Sequence, residues 1–70
     1  MYVEISRNVN TKMWMLYRVV KNTNGSITYD PFAQASTWNK VLAIVADAGG
    51  SIVEMLIDRT GQKIHKAIMP

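Results

Sequence analysis

Between Tyr2 and Arg7 apolar and polar side chains alternate, with Val3 and Ile5 on one side and Glu4 and Ser6 on the other, the period of a half-buried strand. Asn8-Val9-Asn10-Thr11 supplies turn chemistry, and Lys12 to Lys21 follows as a second strand that is apolar on both faces. Met13, Met15, Tyr17 and Val19 form one row of this strand, and Trp14, Leu16, Arg18 and Val20 form the other. Such a strand is expected inside a sheet and covered on both sides. Asn24-Gly25 is a hairpin signal, because both residues tolerate the positive φ that a type I′ turn demands, and Ile27 to Tyr29 is then a short third strand.

One helical segment, Asp30 to Gly50, separates this first half from the second. Asp30 caps free amides and Pro31 occupies the first helical position, with Ser36 or Thr37 as a later alternative cap. Ala35, Trp38, Val41, Leu42 and Val45 recur at helical spacing, Trp38, Val41, Leu42 and Val45 are expected to be buried against the sheet, and Gly49-Gly50 ends the helix. Ser51 to Ile57 reads as a fourth strand, with Val53, Met55 and Ile57 on one face and Ile52, Glu54 and Leu56 on the other. Asp58-Arg59-Thr60-Gly61 fits a type I turn, and Gln62 to Met69 returns as a fifth strand. The expected fold is a single α+β domain over residues 1–70, one helix packed on an antiparallel sheet of four to five strands, in the order β-β-β-α-β-β.

One helix covers one face of a sheet, so one of the two apolar rows on the second strand is left without a cover unless the sheet curls into a partial barrel. If the helix stripe packs on the Met13, Met15, Tyr17, Val19 row, then Trp14, Leu16, Arg18 and Val20 face outward, and Trp and Arg are the side chains most enriched at binding hot spots. With the parity reversed the other row is the open one. The last strand adds a basic run, Lys63, His65 and Lys66. The candidate partner-binding residues are therefore Trp14, Leu16, Arg18, Lys63, His65 and Lys66.

Composition narrows the chemistry. There are no cysteines, so disulfides, thiol catalysis and cysteine-held metal sites are excluded. His65, the one histidine, sits between Lys63 and Lys66, which oppose its protonation and repel a metal cation. Asp30, Asp47, Glu54 and Asp58 fall on different elements and form no spaced acid pair, and Gly49-Gly50 follows a helix where a phosphate loop would precede one. No catalytic residue, cofactor or metal is expected. With 49% hydrophobic and 19% charged residues the chain is too apolar for disorder, and no apolar run reaches the roughly 18 to 20 residues of a membrane span. A strand-like amino terminus without a basic, apolar leader gives a cytoplasmic expectation. The net charge of +3 favours anionic partners only mildly.

In its size, its lack of cysteine, the Asn24-Gly25 hairpin, the Trp38 to Val45 stripe and the Gly49-Gly50 break into a strand, the chain resembles small bacteriophage-encoded inhibitors of host machinery. The anti-CRISPR proteins and the phage inhibitors of bacterial RNA polymerase are of this kind. The resemblance implies a non-enzymatic, stoichiometric inhibitor that occupies a protein surface, often one built to hold nucleic acid. The expected partner is a protein, with self-association into a homodimer as one form of that binding. The alternative is direct nucleic-acid binding on a basic, aromatic sheet face carrying Tyr2, Trp14, Arg18, Lys63, His65 and Lys66.

Overall fold

The computed structural model describes residues 1–70 as β1 (Tyr2–Arg7), β2 (Trp14–Lys21), β3 (Ile27–Ala35), α1 (Trp38–Asp47), β4 (Ser51–Ile57) and β5 (Lys63–Ile68). All strand pairs are antiparallel, and their spatial order is β3-β2-β1-β5-β4. The fold is α+β in the element order the pattern predicts. The sheet is open, with β3 and β4 as its edges, and does not close into a barrel.

Residues directly opposite one another share a face of the sheet. Val3 lies between Arg18 and Ala67, and Ile5 between Leu16 and His65. The face that carries Val3 and Ile5 is the one α1 covers, and the core is Val3, Ile5, Leu16, Ala35, Val41, Val45, Ala67 and Met69. The row Trp14, Leu16, Arg18 therefore points toward the helix, and Leu16 is 0% exposed. This corrects the expectation that the row turns outward. The uncovered row is Met15, Tyr17 and Val19, and β2 has a cover on one side only.

The hairpin loop decides this parity. Asn8 N–H donates to Met13 O at 2.8 Å and Lys12 N–H to Asn8 O at 2.7 Å, which sets Trp14 opposite Arg7 on the Val3 and Ile5 face. One residue more or less in the loop would exchange the two rows. The fit leaves Lys12 in the left-handed region at φ 60, which costs an L-residue more than glycine. Lys12→Gly is accordingly expected to raise unfolding free energy by about 0.5 to 1 kcal/mol, read by chemical denaturation, with glycine's greater freedom in the unfolded chain taking back the rest.

Two further turns share one form. Gly25 N–H donates to Asn22 O at 3.1 Å and Asn22 N–H to Ser26 O at 2.8 Å. Asp58 to Gln62 repeats this, with bonds of 3.0 and 2.9 Å. Only the glycine of each has positive φ, 88° at Gly25 and 84° at Gly61, so Asn24-Gly25 does not form the expected type I′ turn. Each loop is a turn closed by a left-handed glycine.

Asp30-Pro31 does not start the helix. Both residues lie in β3, which runs for nine residues. Proline is tolerated there because β3 is an edge strand and because its ladder with β2 is irregular between Leu16 and Tyr17. The helix begins at Trp38, where the Thr37 hydroxyl accepts from Lys40 N–H at 3.2 Å, the later of the alternative caps.

Since β3 and β4 run in the same direction at opposite edges, α1 is the return crossing between them. Ten residues of helix reach about 15 Å, while the outer strand axes lie roughly 19 Å apart, so the cover is partial. Val41 and Val45 meet the sheet, whereas Leu42 stays 40% exposed, against the expectation that it is buried. At the far end a Cβ on Gly50 would lie 2.7 Å from both Ile68 O and Met69 Cγ, so only glycine lets the chain pass this close on its way into β4.

Candidate functional site

The candidate residues divide between the faces. Trp14, Leu16, Arg18, Lys63 and His65 belong to the helix-covered side, and Lys66, opposite Glu4 and Glu54, belongs to the other. Leu16 is core and meets no partner. Arg18 pairs with Asp30 across the β2–β3 ladder at 3.1 Å, with both side chains more than half exposed. The basic, aromatic set proposed for nucleic acid is thus not assembled on one face, since Tyr2 and Lys66 are on the opposite side from the others.

Trp14 and His65 do converge, with a third ring that the sequence does not place beside them. Trp38, the first residue of α1, has its ring centroid 5.0 Å from Trp14 and 4.3 Å from His65, and Trp14 and His65 are 6.1 Å apart. All three are half-buried. The cluster packs the start of the helix onto β2 and β5, a structural task that accounts for these rings without a ligand. Burial lowers the His65 pKa below the ordinary 6.5, and the positive charge of Lys63 lowers it further.

The consequence for stability has a definite sign. Well above pH 6.5 the imidazole is neutral in both folded and unfolded chains, and the shift has no effect. As the pH falls from 6.5 through the lower folded value, the unfolded chain takes the proton first and stability declines. A proton NMR titration is expected to place His65 below 6.5, and Trp38→Ala, which uncovers the ring, to raise it more than Lys63→Ala does.

The helix-free face carries the larger unexplained feature. Tyr2, Ile27, Tyr29, Leu56 and Ile68 are exposed there, and Met15, Tyr17, Val19 and Ile64 are half-buried beside them. The strand charges among them balance, with Glu4 and Glu54 against Lys66 and Lys21. The sequence carries this signal in the Met15, Tyr17, Val19 row, but alternation alone does not fix which of the two rows on β2 faces outward.

Most of the positive charge sits at one end of the sheet. Arg7 ends β1, Lys12 lies in the β1–β2 loop, Arg59 in the β4–β5 loop, and Lys63 opens β5. The Gln62 side-chain amide donates to Arg7 O and ties the two loops together. Lys40 joins this end near the start of α1, its ammonium 3.1 Å from Ser36 Oγ, on the wall of an open pocket of about 470 Å³ that Met13, Gln34, Ala35, Ala43 and Ile44 complete.

No three histidine or acidic side chains gather where they could hold a metal ion, and no helix is long and apolar enough to cross a membrane. No family model, no curated protein and no solved structure matches this chain, so a functional reading rests on the geometry of these surfaces.

Proposed function

We propose that this chain is a non-enzymatic protein-binding domain that docks on another protein through the helix-free face of its sheet. The observation that carries this reading is a pair of apolar bands that the helix leaves uncovered, Tyr29, Val19, Tyr2 and Ile68 on one side of the Glu4, Lys66, Glu54 row and Met15, Ile64 and Leu56 on the other. Monomeric domains rarely leave large apolar patches in water unless the surface binds something. The charges at its centre, Lys66 flanked by Glu4 and Glu54, leave a net negative row that repels phosphate and suits a protein surface instead. By its resemblance to phage inhibitors, the domain would act stoichiometrically, by covering a surface its target needs.

The test uses positions whose side chains lie largely in solvent. Tyr29→Asp combined with Ile68→Asp should leave the circular dichroism spectrum and melting temperature close to the parent. Immobilised parent protein is expected to retain a stoichiometric protein from a lysate of its native cells, and the double variant to lose it. Retention unchanged by the double variant would show that the face is not the docking surface.

A second reading follows from the basic end. Continuing the β1–β5 register beyond Ser6 and Ile64 brings Arg7 beside Lys63, and neither has a carboxylate within 4 Å. Like charges facing each other across strands cost stability, which an anionic ligand would recover. Titration of a labelled oligothymidylate across salt separates the readings: phosphate contacts to a single strand give a log–log slope of about −0.7 per contact. A slope of that kind, abolished in an Arg7→Ala, Lys63→Ala double variant, would move the assignment to nucleic acid.

A further inference from the structure

We propose that the free edge of β4 is a self-pairing site, at which two copies of the chain join antiparallel about a two-fold axis perpendicular to the sheet and centred on Met55. The inference concerns the strand edge rather than the sheet face, and stands whether or not the face docks a partner.

The two edges of the sheet differ in how they meet solvent. β3 carries devices that discourage another strand from adding: Pro31 lacks an N–H, Asp30 brings a charge, and the ladder is irregular beside Phe32. β4 carries fewer. Its irregularity falls at Val53, between Ile52 and Glu54, and from Glu54 to Ile57 the strand pairs regularly with β5. Along this stretch Val53 is 51% exposed, Met55 46%, Leu56 42% and Ile57 64%. Alternation puts Met55 and Ile57 on the helix side, with His65 and Lys63, and Leu56 on the other, with Ile64. A strand that is apolar on both faces has the composition of an interior strand, yet it stands at an edge.

Register identifies the occupant. A two-fold axis perpendicular to the sheet must pass midway between one residue and its own copy, which then face each other as a pair. Centring on Glu54 sets two carboxylates opposite each other, and centring on Leu56 sets Glu54 opposite Asp58 of the other copy; both are like-charge pairs. Centring on Met55 pairs Met55 with Met55, Glu54 with Leu56 and Val53 with Ile57. That one register gathers all four exposed apolar side chains and opposes no like charges. β4 is therefore its own complement, a property that an unlike partner strand would not require. The two five-stranded sheets would run on as one of ten strands, with both helices on one side and both helix-free faces on the other.

Sedimentation equilibrium or light scattering on the full chain is expected to give twice the 7.9 kDa chain mass at micromolar concentration. Met55→Lys, at a half-exposed position, should keep the parent circular dichroism spectrum and raise the dimer dissociation constant by about tenfold or more, because it places two ammonium groups face to face. Met55→Glu should do the same. Mixing the Lys and Glu variants should restore dimer, since each 55 then meets the opposite charge, and no other register predicts this rescue. Ile57→Lys serves as a second variant, weakening the dimer without self-opposition at the axis. A monomeric parent, a dimer indifferent to Met55→Lys, or two weakened variants that fail to pair when mixed would each overturn the proposal. The Tyr29→Asp, Ile68→Asp variant should remain dimeric while losing its partner, and Met55→Lys should keep its partner while losing the dimer, so the two readings fail separately.

Discussion

Leu16→Ala is expected to cost about 2 to 5 kcal/mol, the range for emptying a fully enclosed leucine site. Leu16 is 0% exposed and lies between Ile5 of β1 and Ala33 of β3, within the cluster that Val41 and Val45 cap from above. A chain of this size holds only roughly 3 to 5 kcal/mol in reserve, so the loss would consume most of it. At matched protein concentration the melting temperature should fall by more than about 10 °C, since one kcal/mol is worth several degrees in so short a chain. Leu42→Ala, on the same helix stripe but 40% exposed, should change stability by less than about 1 kcal/mol. A Leu42 variant that unfolds and a Leu16 variant that does not would mean that the helix lies on the other face.

Where periodicity and turn chemistry agree, the sequence is enough to place an element. Ser51 to Ile57 comes out with the limits of β4, and Tyr2 to Arg7 with those of β1, because each has a clear turn or a glycine pair at its end. Asp30-Pro31 misleads because Asp and Pro suit the start of a helix and an edge strand equally well. Only the position of β3 at the rim of the sheet decides between them. The interaction surfaces are less legible for a related reason. β2 has two apolar rows, and the choice of the outward one rests on the count of residues in the Asn8 to Met13 loop, including a left-handed Lys12 that no local preference announces. The exposure of Leu42 and the meeting of Trp38 with His65 depend on the angle at which α1 crosses the sheet, which follows from strand order and not from any stretch of sequence.

Partial cover of the helix side has an energetic meaning as well. A ten-residue helix is too short to be stable alone, so α1 persists only through the packing of its ends and its two central valines. At its start that packing is aromatic, and at its end it is the close passage of Gly50 against Ile68 and Met69. The two ends therefore hold the helix in the crossing that the strand order dictates, and so decide which parts of the helix side remain open beside β4.

Trp14→Ala tests the aromatic end of this arrangement. If Trp14 were an exposed hot spot, its removal would weaken an association and leave the fold intact. In the structure it packs on the buried core and stands 5.0 Å from Trp38, so truncation removes both a core flank and the support of the first helical turn. Trp14→Ala is expected to destabilise the chain by about 2 to 4 kcal/mol, below the full cost of an enclosed tryptophan because the ring is only half-buried. Arg18→Ala breaks an ion pair whose side chains are 52% and 56% exposed, and should cost less than about 1 kcal/mol. Denaturant unfolding of the two single variants reads this contrast directly. The signal of His65 supplies a second readout, because loss of Trp14 should loosen Trp38 over the imidazole and let its pKa rise toward 6.5. Equal and small effects from both variants would return Trp14 to the surface and with it the outward-facing row.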